Sequence, residues 1–372
     1  MYWLFGLTQH NSLAMESADD HMNKRAKLMS SSSFCCDKCA SSFDSRNKLF
    51  KHLPFCDKSS AIAHASAAAS TMVDLDTLLA CSSTADLIVY CIGGRVRGKT
   101  LRTMESFSFR RHSWQNEQHM CENRGSHTAA ALSDDGLLFA IGGGGIYSNL
   151  NGGERYDAVT KLWTCIAPMN QARHAHSSCT DVVNRQLYII GGWVDGTVCT
   201  PLVERYCVAS NKWTNLTPLS VPRKLFGSAI VGGCIYSFGG NVDKGFYTKA
   251  VEMYCIATNA WSSCVDLPLA GPTSAVAVGD KVWVFVQGRA VVCYDPQSDS
   301  YDVQNIVELP LKEWFCFDVA CFQSIVLLTG GACQGHHEKI FYMFDTVSRI
   351  FIKLPDMYSQ RRRCATCVAV VK

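Results

Sequence analysis

Four residues near the start of the chain have the types and spacing of a metal site: Cys36, Cys39, His52 and Cys56, a Cys-x2-Cys pair followed after twelve residues by a His-x3-Cys pair. Thiolates and an imidazole at these intervals suit tetrahedral zinc, and four protein ligands leave no open position for catalysis. A stretch of some 25 residues cannot bury enough surface to fold unaided, so metal binding and folding of residues 34–57 are expected to be one event. Cys35 is a spare thiol beside the set. Elsewhere, His174 and His176 are two apart in "ARHAHS", a spacing that puts both on one side of a strand, where they could ligate a metal, but no further histidine or carboxylate cluster converges with them. His336, His337 and Glu338 read as a solvated loop. No Ser-His-Asp or Cys-His arrangement stands out, and "GGGGIYSNLNGG" leads into a strand rather than a phosphate-binding helix. The expectation is a protein without catalytic residues.

The elements that carry these residues fall into two parts. Residues 1–33 read as an unstructured leader and residues 58–85, with "SSAIAHASAAAST", as a linker. From residue 86 onward, short apolar runs end in paired glycines: "LIVYCIGG", "LLFAIGGG", "QLYIIGG", "CIYSFGG" and "IVLLTGG", with "VWVFVQG" as a variant. The final glycines are Gly94, Gly143, Gly192, Gly240, Gly288 and Gly331, at spacings of 49, 49, 48, 48 and 43 residues. An aromatic pair seven residues apart travels with them: Phe107 and Trp114, Tyr156 and Trp163, Tyr206 and Trp213, Tyr254 and Trp261, Tyr294 and Tyr301, Phe344 and Phe351. A glutamate precedes the first aromatic by two in four repeats (Glu105, Glu154, Glu204, Glu252) and is absent from the last two, which reads as drift; Gln287 also stands where the fifth repeat should have its first glycine.

These features resemble kelch repeats over residues 86–372. The resemblance implies an all-β fold, a six-bladed kelch β-propeller with four strands per blade. The first repeat begins at its second strand, so its inner strand must come from elsewhere. Residues 364–371 are the expected source, with "MVDLDTLLACSS" as the alternative. The metal segment in turn resembles a classical ββα zinc finger, since Phe34, Phe43 and Leu49 occupy its apolar positions, with cysteine as the last ligand. By that resemblance Ser45, Lys48 and Lys51 would face nucleic acid, whereas an exposed Phe50 suits a protein contact.

Charged residues are 18% of the chain and the net charge is only +3, too mild to imply nucleic acid or a membrane surface from bulk charge. No secretory signal or membrane span is expected, so the twenty cysteines read as reduced thiols in an intracellular protein of the cytoplasm or nucleus. "KRAK" at residues 24–27 has the form of a nuclear-import signal. The loops on one propeller face carry Arg95, Arg97, Arg124, Arg173, Arg223, Arg289, Arg361, Arg362 and Arg363, against Asp195, Asp243, Glu313 and Glu338. Guanidinium forks favour carboxylates and phosphates. That face, above all Arg95, Arg124, Arg173, Arg223, Arg289 and Arg363, is expected to hold an acidic or phosphorylated client protein, with a second partner at the finger. The resemblance also implies client presentation to a ubiquitin ligase as a secondary role. The rival reading is a regulator that contacts nucleic acid through the finger and the basic face.

Overall fold

The computed structural model describes residues 86–371, except 133–134, 146–147 and 195–197, together with three short strands nearer the start of the chain. The chain divides into a unit of residues 1–72 and a unit of residues 73–372. In the first unit, Ala26–Met29, Ser33–Cys36 and Ser42–Phe43 form an antiparallel sheet in that order. The first of these strands lies in the segment read above as an unstructured leader. Phe34 pairs with Phe43 in the second hairpin, so Cys36 ends a strand, while Cys39, His52, Cys56, Ser45, Lys48, Phe50 and Lys51 lie outside the described residues.

The second unit is all-β and of propeller type. Among its described residues are six antiparallel sheets, each built on a run of four paired strands, with three smaller sheets of two or three strands beside them. Sheet 2 comprises Thr128–Leu132, Leu137–Ile141, Gly153–Asp157 and Leu162–Ile166. Sheet 3 comprises Ser177–Asp181, Gln186–Ile190, Val203–Cys207 and Lys212–Leu216. Sheet 4 comprises Gly227–Val231, Cys234–Phe238, Val251–Cys255 and Ala260–Cys264. Sheet 5 runs from Thr273–Val278 through Lys281–Val286 and Ala290–Asp295 to the short Ser300–Tyr301, with Val307–Glu308 added beside its third strand. Sheet 6 comprises Asp318–Phe322, Ile325–Thr329, Phe341–Asp345 and Ile350–Lys353. Sheet 1 draws its first strand from the other end of the chain: Ala365–Val371 pairs antiparallel with Asp86–Ile92, which pairs with Met104–Ser108 and then Ser113–Asn116. The first strands of consecutive sheets adjoin, and the series returns from sheet 6 through sheet 1 to sheet 2.

The second strands are the most apolar because both faces are covered. Val89 to Ile92, Leu187 to Ile190 and Val326 to Leu328 are fully buried. The core therefore lies between sheets rather than in one central mass, which is what a β-branched run without alternation encodes. All six aromatic pairs become direct cross-strand neighbours of the third and fourth strands. Ring centroids are 5.0 Å apart for Tyr206 and Trp213 and 4.6 Å for Phe344 and Phe351. The four tryptophans among them also donate across sheets. Trp163 Nε1 bonds Gln118 O at 2.9 Å, Trp213 bonds Ala167 O at 2.7 Å, Trp261 bonds Thr217 O at 2.8 Å and Trp114 bonds Pro355 O at 2.7 Å.

The paired glycines and the arginines four residues ahead of the first strands form one device. At Gly191 (φ +57) an added Cβ would lie 2.7 Å from Arg223 O, and the next amide, Gly192 N–H, donates to that same carbonyl at 2.8 Å. The Arg223 guanidinium reaches forward into its own sheet. It donates to Gly239 O and Ala250 O at 3.1 and 2.7 Å and pairs with Glu252 at 2.6 Å. Arg124 repeats the pattern with Glu154 at 3.0 Å, Arg361 with Glu105 at 2.5 Å, and Arg173 with Glu204. Each carboxylate also accepts backbone N–H groups of the incoming connection, Cys121 and Glu122 at Glu154, Tyr358 and Ser359 at Glu105. The recurring spacing thus ties one sheet to the next through a buried, hydrogen-bonded charge pair.

In sheet 6, where the glutamate is missing, the link is replaced rather than lost. In sheet 6 Trp314 holds the arginine's place: its backbone carbonyl accepts Gly288 N–H at 2.8 Å and its Nε1 donates to Gly330 O at 2.8 Å. Tyr342 takes the glutamate's place, 5.7 Å from the Trp314 ring. At the junction of sheets 5 and 6, the Gln287 side chain donates to Ser274 Oγ and Phe317 O and accepts from Cys316 N–H at 2.7 Å.

Removing one member of a buried pair leaves an uncompensated charge. Arg173→Met is therefore expected to cost about 3–5 kcal/mol in urea unfolding. Adding Glu204→Gln to it should recover part of that loss. A double variant as unstable as the sum of the two single ones would show that the pair acts independently of its charges.

Candidate functional site

The connections between second and third strands, and those leading into the first strands, meet at one end of the sheets around a cavity of about 430 Å³. All six sheets contribute to its wall. Residues two ahead of the first strands take left-handed backbone conformations at Ser126, Ala175, Leu225, Cys316 and Arg363, with φ between +52° and +60°, and all five line the cavity. Arg363 is the cation among them.

Of the six arginines expected at this face, the structure divides the set in half. Arg124, Arg173 and Arg223 are no more than 1% exposed and committed to the glutamate pairs, as is Arg361. They are not available to a partner, because arginine at this place serves the inter-sheet link. Arg95, Arg289 and Arg363 remain at the surface, the first and last half-buried and Arg289 exposed. Arg362 joins them: Arg95 and Arg362 are bridge partners through mutual backbone hydrogen bonds of 2.8 and 3.1 Å. Arg95 lies across Gly125 and Gly144, where no Cβ would fit beneath it. Its burial, and then the charges of Arg363 and Arg362, draw its pKa below the ordinary arginine range. The Nε–H groups of Arg95, Arg362 and Arg363 and the indole N–H of Trp193 are buried without a protein acceptor, as are the Nε–H groups of Arg173 and Arg361 in the inter-sheet links. The mouth is therefore rich in positive charge.

Several contributors carried no signal in the repeat pattern. Lys224 lies 2.9 Å from the centroid of the Trp193 ring, and His174 stacks on that ring at 5.6 Å. Phe246 is 68% exposed and Tyr247 49%, both on the long connection after Gly240, and Phe315 is exposed ahead of sheet 6. The signal was the run "DKGFYTK", two large aromatics in a connection that offers no alternation to bury them. Of the opposing acids, Asp243 is engaged by Cys199 N–H at 2.9 Å.

His174 and His176 do not converge. Sheet 3 begins at Ser177, and Ala175 between the two histidines is left-handed, which breaks the two-residue alternation of a strand. His174 Nδ1 contacts Asn149 Oδ1 at 2.6 Å, while His176 is buried with Nε2 near Thr128 Oγ1 and Ile141 O. Burial, then the charge of Arg173, pushes His176 well below the ordinary range, and burial with Arg124 brings His127 to about 3. Both are neutral at physiological pH. Among the described residues no group of three or more metal-ligating side chains forms. His337 accepts the Arg97 backbone N–H at 3.3 Å, and its own pKa is lowered by burial and then by Arg362 and Arg97.

Within the cavity, Asp318 accepts Thr366 N–H at 2.7 Å and so joins the first strands of sheets 6 and 1. Burial raises its pKa to about 6, against the pull of that N–H. An acid with a raised folded pKa favours the folded state when protonated. Its contribution is present below the unfolded value of about 4 and is lost as pH rises through about 6. Asp318→Asn should therefore flatten the fall in Tm between pH 4 and pH 6.5 and melt a few degrees higher at pH 7. Identical pH profiles for the two proteins would contradict this.

Among the described residues no helix is long and apolar enough to cross a membrane. The family model for the Attractin/LZTR1 β-propeller matches residues 80–293, from ahead of sheet 1 into the third strand of sheet 5. Mouse Kelch-like protein 35 is 31% identical over 130 residues, 35% of this chain and 21% of that protein. Rat Kelch-like protein 38 is 24% identical over 261 residues, 65% of this chain and 43% of that protein. The Arabidopsis thaliana F-box protein AFR is 31% identical over 106 residues, 28% of this chain and 27% of that protein. The chain spans less than half the length of each of these relatives.

Proposed function

The chain belongs to the Attractin/LZTR1 β-propeller family, and on that basis we propose that it is a non-enzymatic recognition protein whose six sheets act as the blades of one propeller. Its cavity mouth holds an acidic or phosphorylated segment of a client protein. The observation that carries this reading is the crowding of three half-buried guanidinium groups, Arg95, Arg362 and Arg363, flanked by exposed Phe246, Tyr247 and Phe315. Arginine and large aromatics in one concave site are the residue types that dominate binding energy, and carboxylate or phosphate oxygens are the partners a guanidinium cluster favours. Arg289 and Lys224 extend the same face.

In this reading the second partner binds residues 34–57, folded around a zinc ion by Cys36, Cys39, His52 and Cys56. The donor set supports it, as does a hairpin that brings Cys36 to a strand end just ahead of Cys39. Presentation of the client to a ubiquitin ligase is the secondary role in this reading, supported by the likeness to proteins named Kelch-like and F-box. A nucleic acid at the finger is the rival occupant.

The test is an array of acidic and phosphorylated peptides, with their uncharged counterparts, probed with the full chain. The Arg95→Ala, Arg289→Ala, Arg363→Ala variant should lose about tenfold or more in affinity, roughly 1.4 kcal/mol, with an unchanged melting curve. Equal binding of charged and uncharged peptides would overturn the reading. One bound zinc per chain, lost with Cys39→Ser, is expected by elemental analysis. Oligonucleotide binding with a steep salt dependence, weakened by Lys48→Ala and Lys51→Ala, would shift the finger to the rival reading.

A further inference from the structure

The residue that follows the third-strand aromatic begins the turn into the fourth strand, and in three sheets its hydrogen bonds show what the turn presents to it. In sheets 2, 5 and 6 it is aspartate. Asp157 accepts Val159 and Thr160 N–H at 2.8 and 3.0 Å, Asp295 accepts Gln297 N–H at 3.0 Å, and Asp345 accepts Val347 and Ser348 N–H at 3.1 and 3.3 Å. The turn thus aims backbone donors at an anion. In sheets 3 and 4 the same place holds a cysteine, Cys207 and Cys255. The Cys207 thiol is drawn below the ordinary range, first by the Ser210 side chain, and the Cys255 thiol first by the Thr258 side chain, with turn amides adding in both.

Sheet 4 differs from sheet 3 in what stands opposite. Cys207 pairs with Gln186, whereas Cys255 pairs with Cys234 on the second strand. Ile256 N–H donates to Gly233 O at 3.2 Å, one residue beyond the pair on each strand. That pattern makes Cys234 and Cys255 a non-hydrogen-bonded pair, in which Cα atoms lie about 4.5 Å apart and side chains approach closest. A disulfide spans Cα separations of about 4.4–6.8 Å, so the bridge needs no rearrangement of the strands. Both cysteines are half-buried rather than sealed in the core. They lie at the end of the strands away from the cavity mouth, because the second strand runs from Cys234 toward Gly239.

We propose that Cys234 and Cys255 form an oxidisable dithiol, with Cys255 the nucleophile and Cys234 the resolving thiol, which peroxide converts to a cross-strand disulfide. The Cys255 thiolate attacks one oxygen of hydrogen peroxide, the O–O bond breaks, and Cys255 becomes a sulfenic acid as hydroxide leaves and takes up a proton. Cys234 sulfur then attacks the Cys255 sulfur. The S–S bond forms, the S–O bond breaks, and the Cys234 proton departs with the hydroxyl as water. Two thiols and one peroxide give one disulfide and two waters. The division of roles follows from the surroundings: burial, then Cys255 itself, pushes the Cys234 thiol up, so Cys255 is the readier thiolate.

The experiment treats the full chain with graded hydrogen peroxide, blocks free thiols with iodoacetamide and maps a non-reducing digest by mass spectrometry. The expected result is a peptide linking Cys234 to Cys255, with loss of both alkyl labels and their return after reduction. Cys207 is the internal control, in the same turn with no thiol opposite. Cys234→Ser should stop the reaction at a dimedone-reactive sulfenic acid on Cys255, and Cys255→Ser should leave Cys234 alkylated. Absence of the linked peptide at doses that label Cys207 with dimedone would overturn the proposal. So would preferential linkage of either residue to another cysteine. The wild-type map needs no variant, so a folding defect in either variant cannot obscure the answer.

Discussion

A guanidinium placed where water cannot reach it governs this architecture. Stripping an arginine and a glutamate of solvent costs several kcal/mol per ion, and their mutual attraction offsets that only when remaining donors and acceptors are also met. At Arg124 they are met by two backbone carbonyls and a carboxylate, and Glu154 in turn collects two backbone N–H groups. One charge pair thereby fixes the end of a second strand, the start of a third and the connection arriving from the previous sheet. The glycine of the preceding sheet must then have no side chain, because the arginine's own carbonyl fills that space. In sheets 1 to 4, the paired glycines of the preceding sheet and the placement of the glutamate accommodate this one contact. Sheet 6 shows the alternative: a neutral Trp314 and Tyr342 keep the bond to a glycine carbonyl and dispense with the charges.

That commitment also shapes the surface. Four arginines that sequence counts as positive charge are neutralised in the interior, so the cavity mouth depends on fewer cations than the composition suggests. Those that remain are crowded: Arg95 feels both Arg362 and Arg363. Like charges held together by the fold are stored unfavourable energy, relieved by an anion. Asp318 deeper in the cavity sets the opposite sign below them, which confines an acidic segment to the rim and discourages its passage inward.

Much of the fold was legible because its signals are local. A glycine pair marks a second-strand end, and two aromatics seven apart mark a hairpin, as the register of all six pairs bears out. The C-terminal strand could be read from a first strand without a successor. The site was harder. Arg361 and Arg363 are the same residue type two positions apart, yet one is sealed in the interior and the other lines the mouth. The difference lies in the left-handed turn at Arg363, which side-chain identity does not encode. His174 and His176 failed as a pair for the same reason. The opposition of Cys234 and Cys255 requires strand register, and register is set only once the Gly232–Gly233 turn is placed.

The pairing of Ala365–Val371 with Asp86–Ile92 carries a consequence for biosynthesis. The strand "DLIVYCI" leaves the ribosome early, and its partner is made 273 residues after Ile92. At about 5–20 residues per second that is an interval of about 14–55 seconds. During it, an apolar, β-branched edge stands without its neighbour, the kind of edge that recruits other chains. Nascent protein in that window is the form most in need of a chaperone, and translation pauses late in the message would lengthen its exposure.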